Sequence, residues 1–411
     1  MFIEVINTGS ELLLGQVLNT HLRYFSESLM RLGLRVSRQV TIPDGEVIAC
    51  ALKESLERAD VILITGGLGP TTDDMTREIV ASYFKRKLEF SPEIEQDLLA
   101  FFAQRNRTCP ENNKVQAMVP EGATVLHNAH GTAPGLYLEE NGKHVFCLPG
   151  PPRELYPICE NTVWPILQGL QPQTKSMRMK TLRMSDLGES SLQEIVDEKL
   201  HGLQGLEVGY CARAGLVDLR LISKDEALLS QRIDETKEVL QAYIYGEDAD
   251  TLESVVVHTA KQNKKQIATA ESCTGGQVAT RLTNIPGASQ VFNRGWVTYS
   301  NEAKVAELNV PPELIETHGA VSKEVAEAMA RGAVENANAD LAVSLTGIAG
   351  PTGDSSEKPV GLVFIGMARK TDRGEIFTET LEKRLVPDRE TFKLLASNHA
   401  LDLLRKTLVA E

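Results

Sequence analysis

The N-terminal part of the chain alternates short apolar runs with segments whose apolar residues recur every three or four positions. Apolar runs at residues 2–6, 34–40 and 61–64 predict strands, and the last run is continuous, as is typical of a strand covered on both faces. The three-and-four spacing over residues 22–32 and 47–56 predicts amphipathic helices between these strands. This order predicts an open, mostly parallel sheet with helices on its faces.

The pattern changes in the middle of the chain. The predicted elements there are a strand at 180–184, a helix at 190–200, strands at 206–212 and 216–223, and a helix at 228–243. This βαββα order predicts a small α+β domain that separates two larger ones. Residues 202–205 (GLQG) match the G-x-x-G loop of RNA-binding KH domains, but two fixed positions without a basic neighbour favour a plain turn over RNA binding.

The C-terminal part returns to alternating strands and helices. The predicted elements are a helix around 252–259, strands at 266–270, 295–299, 341–345 and 360–367, a helix after the N-cap residue Ser322, and a last helix at 389–404. We therefore predict two α/β domains with mostly parallel sheets, 1–170 and 250–411, joined by a small α+β, KH-like middle domain, 171–249.

Composition and charge narrow the class of protein. The 411 residues are 42% hydrophobic and 24% charged, which is typical of a soluble globular protein. A net charge of −13 disfavours a general nucleic-acid binder. The six cysteines form no C-x-x-C pair, and no apolar run is long enough to span a membrane. The N-terminus resembles a first strand more than a signal peptide, so we expect a cytoplasmic protein with no membrane or nucleic-acid partner.

Residues 270–276 (AESCTGG) carry the clearest candidate chemistry. Ser272 follows an apolar strand and precedes a glycine-bearing turn and a helix, where free backbone N–H groups could meet an oxyanion. With no histidine close in sequence, Lys304 is the favoured base and Tyr299 a proton relay. The alternatives are that Ser272 is only an N-cap and Lys304 a solvated residue. Cys273 is a rival nucleophile, ranked below Ser272.

A second glycine-rich loop, residues 345–353 (LTGIAGPTG), follows another apolar strand. Glycine lets backbone amides approach a phosphate or ribose, although a structural turn is an equally good interpretation. The loop lacks the G-K-[ST] ending of a P-loop, so hydrolysis of a nucleoside triphosphate is not indicated.

Residues 270–276, 295–304, 318–322 and 346–361 together resemble the CinA C-terminal domain family of nicotinamide-nucleotide amidohydrolases. The resemblance implies hydrolysis of nicotinamide mononucleotide to nicotinic acid mononucleotide and ammonia through an acyl-enzyme, without a cofactor. It implies that Ser272, Tyr299 and Lys304 are catalytic. The expected substrate contacts are Thr274, Gly275, Gly276, Thr346, Gly347, Ala349, Gly350, Arg389 and Lys393. The family often has an arginine where Lys393 stands, which puts affinity more than activity in doubt.

A third polar loop, residues 66–76 (GGLGPTTDDMT), follows the buried strand at 61–64. Glycine amides beside carboxylates suit a phosphate held with a divalent cation, although Asp74 could be a simple N-cap. Glu11, at the end of the first strand, could join this site because ligands collect at strand carboxyl ends in such sheets. The polar loop at 128–135 could close over it.

These N-terminal segments are similar to the molybdopterin-binding domain family in the form found in CinA proteins. The resemblance implies either a pterin-like or nucleotide ligand, or a metal-dependent pyrophosphatase acting on ADP-ribose. We expect the ligand at Gly66, Gly67, Gly69, Thr71, Thr72 and Lys114. We expect Mg²⁺, Mn²⁺ or Co²⁺ at Glu11, Asp73 and Asp74.

The leading hypothesis is a two-headed, homodimeric hydrolase of pyridine-nucleotide salvage whose substrates are nicotinamide mononucleotide and, at the first domain, ADP-ribose. Two alternatives stay open. One is a binding protein of competence or DNA damage, which the acidic composition disfavours as a direct DNA binder. The other is a molybdopterin-binding protein without amidase activity.

Overall fold

The computed structural model describes residues 1–171, 176–353, 358–371, 373–386 and 388–410. The chain divides into two compact units, Met1–Arg178 and Met179–Glu411. Residues 172–175 of the predicted middle domain and residues 354–357 of the motif segment 346–361 lie outside the described residues. Among the described residues, no helix combines the length and the apolar character that crossing a bilayer requires.

The strands of the N-terminal unit are β1 (Ile3–Thr8), β2 (Val36–Ile42), β3 (Val61–Thr65), β4 (Leu88–Phe90), β5 (Met118–Pro120), β6 (Thr124–Leu126), β7 (Gly135–Glu140) and β8 (Lys143–Leu148). Its helices are α1 (Ser10–Leu13), α2 (His21–Arg31), α3 (Val47–Arg58), α4 (Thr76–Tyr83), α5 (Pro92–Ala103), α6 (Pro152–Ile158) and α7 (Trp164–Leu170), with a 3-10 helix at Glu111–Ala117 and a π-helical turn at Cys159–Val163.

The main sheet of this unit has the strand order β2-β1-β3-β8-β7-β6. The pairs β2–β1, β1–β3 and β3–β8 are parallel, and β7 and β6 add antiparallel strands at one edge. Strand β3 is buried on both faces: Val61 and Leu63 pack in one core, and Ile62 and Ile64 pack in the other. The prediction of an α/β fold with a mostly parallel sheet is therefore confirmed.

The second unit begins with the KH-like part. Its elements are β9 (Arg178–Ser185), α8 (Glu189–Leu200), β10 (Leu206–Arg213), β11 (Leu216–Ser223), α9 (Glu226–Leu240) and β12 (Ile244–Glu247), in the sheet order β10-β11-β9-β12. The predicted βαββα order lacked β12 because its four residues are too few to show an alternation. They pair antiparallel with β9 as the chain leaves α9.

The rest of the second unit is a three-layer α/β arrangement. Its strands are β13 (Ile267–Glu271), β14 (Phe292–Val297), β15 (Leu341–Gly347), β16 (Leu362–Lys370) and β17 (Ile376–Arg384). Its helices are α10 (Leu252–Gln262), α11 (Gln277–Thr283), α12 (Asn301–Leu308), α13 (Pro312–His318), α14 (Lys323–Ala337) and α15 (Arg389–Val409), with a 3-10 turn at Ala288–Gln290.

The sheet of this part has the order β14-β13-β15-β16-β17. Strand β13 pairs in parallel with β14 and β15, whereas β15, β16 and β17 are antiparallel. The sequence did not predict β17, because threonine and charged residues hide its alternation. The strand predicted at 295–299 instead spans Phe292–Val297, which leaves residues 298–300 as a loop.

Parallel pairing brings the candidate residues to one edge of the sheet. Glu271, the last residue of β13, lies opposite Val297 of β14 and Leu345 of β15. The segments that follow these three strands therefore emerge side by side. Helix α15 borders the same region, since Arg389 is its first residue.

Helix α15 also contacts the KH-like part of the unit. The Asn398 side chain donates to the Ala214 carbonyl at 2.7 Å, and Lys406 Nζ donates to Asp186 at 2.7 Å. Hydrogen bonds from His399 and Lys406 outweigh the effect of burial and hold the pKa of Asp186 well below its usual value. The helix thus connects the candidate site with the KH-like part.

Candidate active site

Ser272 lies immediately after β13 with its main chain fixed on both sides. Its N–H donates to the Leu345 carbonyl at 2.9 Å, and its carbonyl accepts from the Gly275 N–H at 3.1 Å. Gly275 and Gly276 have φ values of 63° and 91°, a left-handed conformation that glycine adopts without strain. The residue is 8% exposed, so the hydroxyl lies in a shallow, largely desolvated place.

Lys304 reaches this hydroxyl from the helix that follows the neighbouring strand. It lies on α12, the helix that follows β14, and is only 1% exposed. Its Nζ is 3.1 Å from Ser272 Oγ and 2.9 Å from the Thr298 carbonyl oxygen, with the Tyr299 and Ser300 carbonyl oxygens each 3.4 Å away. The two side chains that the sequence analysis predicted as nucleophile and base therefore form one hydrogen-bonded pair.

The surroundings of Lys304 favour a neutral amine. Burial lowers its pKa, and the neighbouring Cys273 and Glu302 side chains oppose that effect only in part. A neutral amine has two N–H donors and one lone pair. The Thr298 carbonyl and one neighbouring carbonyl can accept the two hydrogens, which directs the lone pair to the Ser272 hydroxyl. This arrangement is that of a base beside a hydroxyl nucleophile.

Glu271 is the site residue that the sequence analysis missed. Its side chain is fully buried and accepts from the Thr274 hydroxyl at 2.7 Å, the Val278 N–H at 3.1 Å and the Ala279 N–H at 2.9 Å. The expectation that the start of α11 offers free N–H groups to an anion is therefore wrong for Val278 and Ala279. The signal was present in the sequence, because a glutamate ending an otherwise apolar strand is unusual.

Cys273 is poorly suited to be the nucleophile. The N–H groups of Cys273 and Thr274 lie at the thiol and lower its pKa, but burial is the larger effect and raises that pKa to about 12. A thiol with such a pKa holds almost no thiolate near neutral pH. The order of the two candidates, Ser272 before Cys273, is consistent with this environment.

A cavity of about 260 Å³ opens over the Ser272–Lys304 pair. The predicted residues that line it are Ser272, Tyr299, Lys304, Thr346, Gly347, Ala349 and Arg389, and Asn301 adds an amide that the sequence analysis did not nominate. Gly350 follows in the same loop with a φ of 70° and does not line the cavity.

Two lining residues differ from expectation in how they are placed. The Thr346 hydroxyl donates to the Ala320 carbonyl at 2.7 Å, so it supports the loop and is not free for a ligand. Tyr299 is 64% exposed at the cavity, and among the described residues its hydroxyl makes no hydrogen bond to Ser272 or Lys304. A relay role for this phenol stays a prediction.

The remaining predicted substrate contacts line a second cavity of about 480 Å³. Thr274, Gly275, Gly276 and Lys393 are among its lining residues. The Lys393 amine lies near Gly275, 3.8 Å from where a Cβ atom would stand there. The predicted set is thus divided between two cavities that flank the turn at 272–276.

The N-terminal loop at 66–76 is packed as a tight turn. Gly66 and Gly67 have φ values of 95° and 65°. A Cβ atom on Gly66 would lie 2.6 Å from the Thr8 carbonyl oxygen, and one on Gly67 would lie 2.2 Å from Thr76 Oγ1. The Asp74 carboxylate turns back within the loop, where it accepts from the Thr71 N–H at 3.0 Å and from the Thr71 hydroxyl.

The predicted metal ligands do not form a preformed site. Among the described residues, no group of three or more histidine, cysteine, aspartate or glutamate side chains is arranged to hold a metal ion. The Asp74 carboxylate is engaged with Thr71, and the Glu11 carboxylate lies beside Gly9. Lys114, expected at the ligand, forms an ion pair with Glu111 at 2.9 Å. The loop residues Gly69, Thr72 and Asp73 lie with Asp74 in the same turn.

The structure adds two polar side chains to this N-terminal region. His21 is 8% exposed; one ring nitrogen bonds the backbone of Gly150, and Nδ1 has no partner among the described residues. Burial lowers the pKa of His21. The buried Asn19 Nδ2 likewise has no partner there, and Gly150 packs next to Gly66. No sequence motif marked either residue.

Three family models match consecutive parts of the chain. The probable molybdopterin binding domain matches residues 4–169, the damage-inducible protein CinA KH domain matches 179–246, and the CinA C-terminal domain matches 249–408. The putative competence-damage inducible protein of Caldicellulosiruptor saccharolyticus is 44% identical over 416 residues, covering 100% of both chains. The chain belongs to the CinA family.

A second relative gives the same result. The CinA-like protein of Akkermansia muciniphila is 44% identical over 417 residues, covering 100% of this chain and 99% of its own. The family resemblance predicted from the motifs is confirmed. The chain is also similar to the solved structure of competence/damage inducible protein CihA from Agrobacterium tumefaciens, which is 40% identical, with a TM-score of 0.35, and covers 38% of this chain and 95% of its own.

Proposed function

We propose that the C-terminal part of this CinA protein hydrolyses the carboxamide of nicotinamide mononucleotide. The observation that carries the proposal is the buried Lys304 amine, 3.1 Å from Ser272 Oγ at a cavity of about 260 Å³. A desolvated amine beside a serine hydroxyl suits acyl transfer to serine. The family membership and the motif resemblance support the choice of substrate.

The reaction proceeds in two acyl-transfer steps. Ser272 Oγ attacks the carboxamide carbon while Lys304 takes the hydroxyl proton, which gives a tetrahedral intermediate. Lys304 then returns the proton to the nitrogen, the C–N bond breaks and ammonia leaves. Water attacks the resulting ester with Lys304 again as the base, and nicotinic acid mononucleotide leaves with Ser272 restored.

The oxyanion of each intermediate needs N–H donors. The Ser272 N–H is already bonded to the Leu345 carbonyl, and the Glu271 carboxylate accepts from the Val278 and Ala279 N–H groups of α11. The N–H groups of Cys273 and Thr274, in the turn beside the nucleophile, are therefore the proposed donors.

The phosphate of the substrate needs a cation near the cavity. Arg389 lines the cavity of Ser272 and can meet a phosphate with a planar pair of N–H groups. Lys393 lies one turn further along α15 and lines the second cavity. Arg389 is thus the proposed main phosphate contact and Lys393 a weaker one.

The direct test measures ammonia released from nicotinamide mononucleotide by the full-length protein and by the Ser272→Ala variant. We expect turnover by the wild type and a loss of at least about 10³-fold in the variant. Ser190→Ala, at an exposed serine, is the matched control and should retain full activity. Full activity of Ser272→Ala would contradict the assignment.

A second activity is proposed for the N-terminal unit. The left-handed turn at Gly66 and Gly67, at the carboxyl end of β3, favours a phosphate-bearing ligand. ADP-ribose, split to AMP with an added divalent metal, is the proposed substrate, and a retained pterin or nucleotide ligand is the alternative. Incubating the full chain with ADP-ribose and Mg²⁺, Mn²⁺ or Co²⁺ should yield AMP; no AMP with any of the three would remove the pyrophosphatase.

A further inference from the structure

Glu271 contacts several of the segments around the nucleophile, through its backbone carbonyl and through its carboxylate. Its backbone carbonyl accepts from the Thr298 N–H at 2.8 Å, and Thr298 in turn offers its own carbonyl to Lys304. Its side chain accepts from Thr274 and from two N–H groups of α11. One residue therefore joins the loop after β14, the turn after Ser272 and the start of α11.

The position of Ser272 depends on these contacts. The turn from Ser272 to Gly276 is short, contains two glycines and has few side chains that could fix its path. Within it, Thr274 is fully buried, and its hydroxyl donates to Glu271. The carboxylate thus fixes the turn two residues after the nucleophile, while the strand fixes it just before.

A negative charge suits this location. The N–H groups of Val278 and Ala279 belong to the first turn of α11, where unpaired donors and the helix dipole favour an anion. Because Glu271 supplies that anion from within the chain, a substrate phosphate has no place at these N–H groups. This agrees with a phosphate bound by Arg389 on α15.

We propose that Glu271 is a positioning residue for Ser272, acting through Thr274 and the start of α11. The proposal rests on the proposed acyl transfer at Ser272. This role differs from that of a helix cap. Loss of a residue that only capped α11 would lower the stability of the fold and leave the rate of the chemical step unaltered.

The test compares Glu271→Gln with the wild type well below the unfolding temperature of each protein. Misplacing a nucleophile by about 1 Å costs on the order of 10²-fold in rate, so kcat for nicotinamide mononucleotide should fall by about 10²-fold with KM changed less than about threefold. A kcat within about threefold of the wild type, with only a lower Tm, would show a structural cap and overturn the proposal.

A second pair of variants covers the case in which Glu271→Gln fails to fold. Thr274→Val removes the hydroxyl while keeping the shape, and should lower kcat by about tenfold. Thr274→Ser keeps the hydroxyl and should restore most of the rate. Equal loss in both variants would contradict a role through this hydrogen bond.

A readout independent of the substrate separates this proposal from the proposed function. The rate at which diisopropyl fluorophosphate modifies Ser272 is measured by intact mass in the same variants. Slower labelling of Glu271→Gln supports the positioning role even if the wild type releases no ammonia from nicotinamide mononucleotide. Equal labelling rates overturn the role even if the wild type is an active amidase.

Discussion

The turn after β13 and the turn after β3 begin from the same pattern but assemble differently. Each follows a buried parallel strand, contains left-handed glycines and leads into a helix. At the first turn, Lys304 lies on the helix after the neighbouring strand and its amine bonds to the Ser272 hydroxyl. At the second, the Asp74 carboxylate bonds within its own loop. The shared pattern of strand, glycine turn and helix is enough to form a loop. A catalytic pair also requires a side chain from a second element of the fold, as Lys304 provides for Ser272.

The difference lies in what the adjacent strand provides. Strand β14 leads into a loop and a helix that bury an amine against the Ser272 turn. Around Gly66, the neighbouring strand ends supply Thr8 and Gly150, which pack the loop but bring no opposite charge. The N-terminal turn is therefore packed as a loop and lacks, among the described residues, the basic partner that Lys304 gives the Ser272 turn.

The largest expected effect concerns the amine that completes the first turn. Lys304→Met should lower kcat for nicotinamide mononucleotide by about 10²–10⁴-fold, because the hydroxyl of Ser272 loses its base. Ammonia release measures it, with the exposed Lys323→Met as control. Activity of Lys304→Met near that of the wild type would contradict the claim that the Ser272 turn, unlike the Gly66 turn, is completed by a catalytic side chain.

At the N-terminal turn the expected effect is on stability. Gly67→Ala combines a φ of 65° with a close approach to Thr76 and should destabilise the N-terminal unit by at least about 2 kcal/mol. Gly142→Ala has a similar φ of 73° in open space and should cost about 1 kcal/mol. Hydrogen exchange of residues 1–171 measures both, and equal protection in the two variants would contradict the packing argument.

The pH dependence of kcat/KM should distinguish a lysine base with a lowered pKa from one with the pKa of free lysine. Lys304 accepts a proton only when neutral, and burial lowers its pKa, so the neutral form is gained as pH rises through a value below that of free lysine. The value of kcat/KM should rise about tenfold per pH unit below that pKa and level off above it. A profile without any such rise below the pKa of free lysine would argue against the assignment.

The smallest expected effect separates the two cavities beside the Ser272 turn. Arg389→Ala should raise KM for nicotinamide mononucleotide about fivefold with little change in kcat, about 1 kcal/mol of binding. Lys393→Ala should raise KM about twofold, since its amine lines the other cavity. The reverse order in steady-state kinetics would place the phosphate in the second cavity.

The sequence predicted the fold class and the CinA family because both rest on local signals. Continuous apolar runs such as β3 and the motif at 270–276 can be recognised without knowing what they contact. Strand β12 escaped because it is short, and β17 because its stabilisation comes from pairing with β16 and not from an apolar pattern.

At the site, the sequence predicted residue types and the structure supplied their relations. The parallel pairing of β13 and β14 brings Ser272 and Lys304 together across 32 positions. The strand pattern of the sequence is compatible with this proximity but gives no distance between the two side chains. The role of Glu271 depends on N–H groups seven and eight residues further on, which no spacing rule connects to a strand end. The sequence likewise could not predict that the expected substrate contacts are divided between two cavities.

Helix α15 ties the KH-like part to the part of the chain that carries the candidate site. Its 21 residues form a rod of about 30 Å, with Arg389 at one end and the attachment to Asp186 near the other. Phe392, Ala396 and Leu404 are fully buried in the core beside the sheet, so the rod is held along its length. The KH-like part is therefore anchored to the same rigid frame that fixes Arg389.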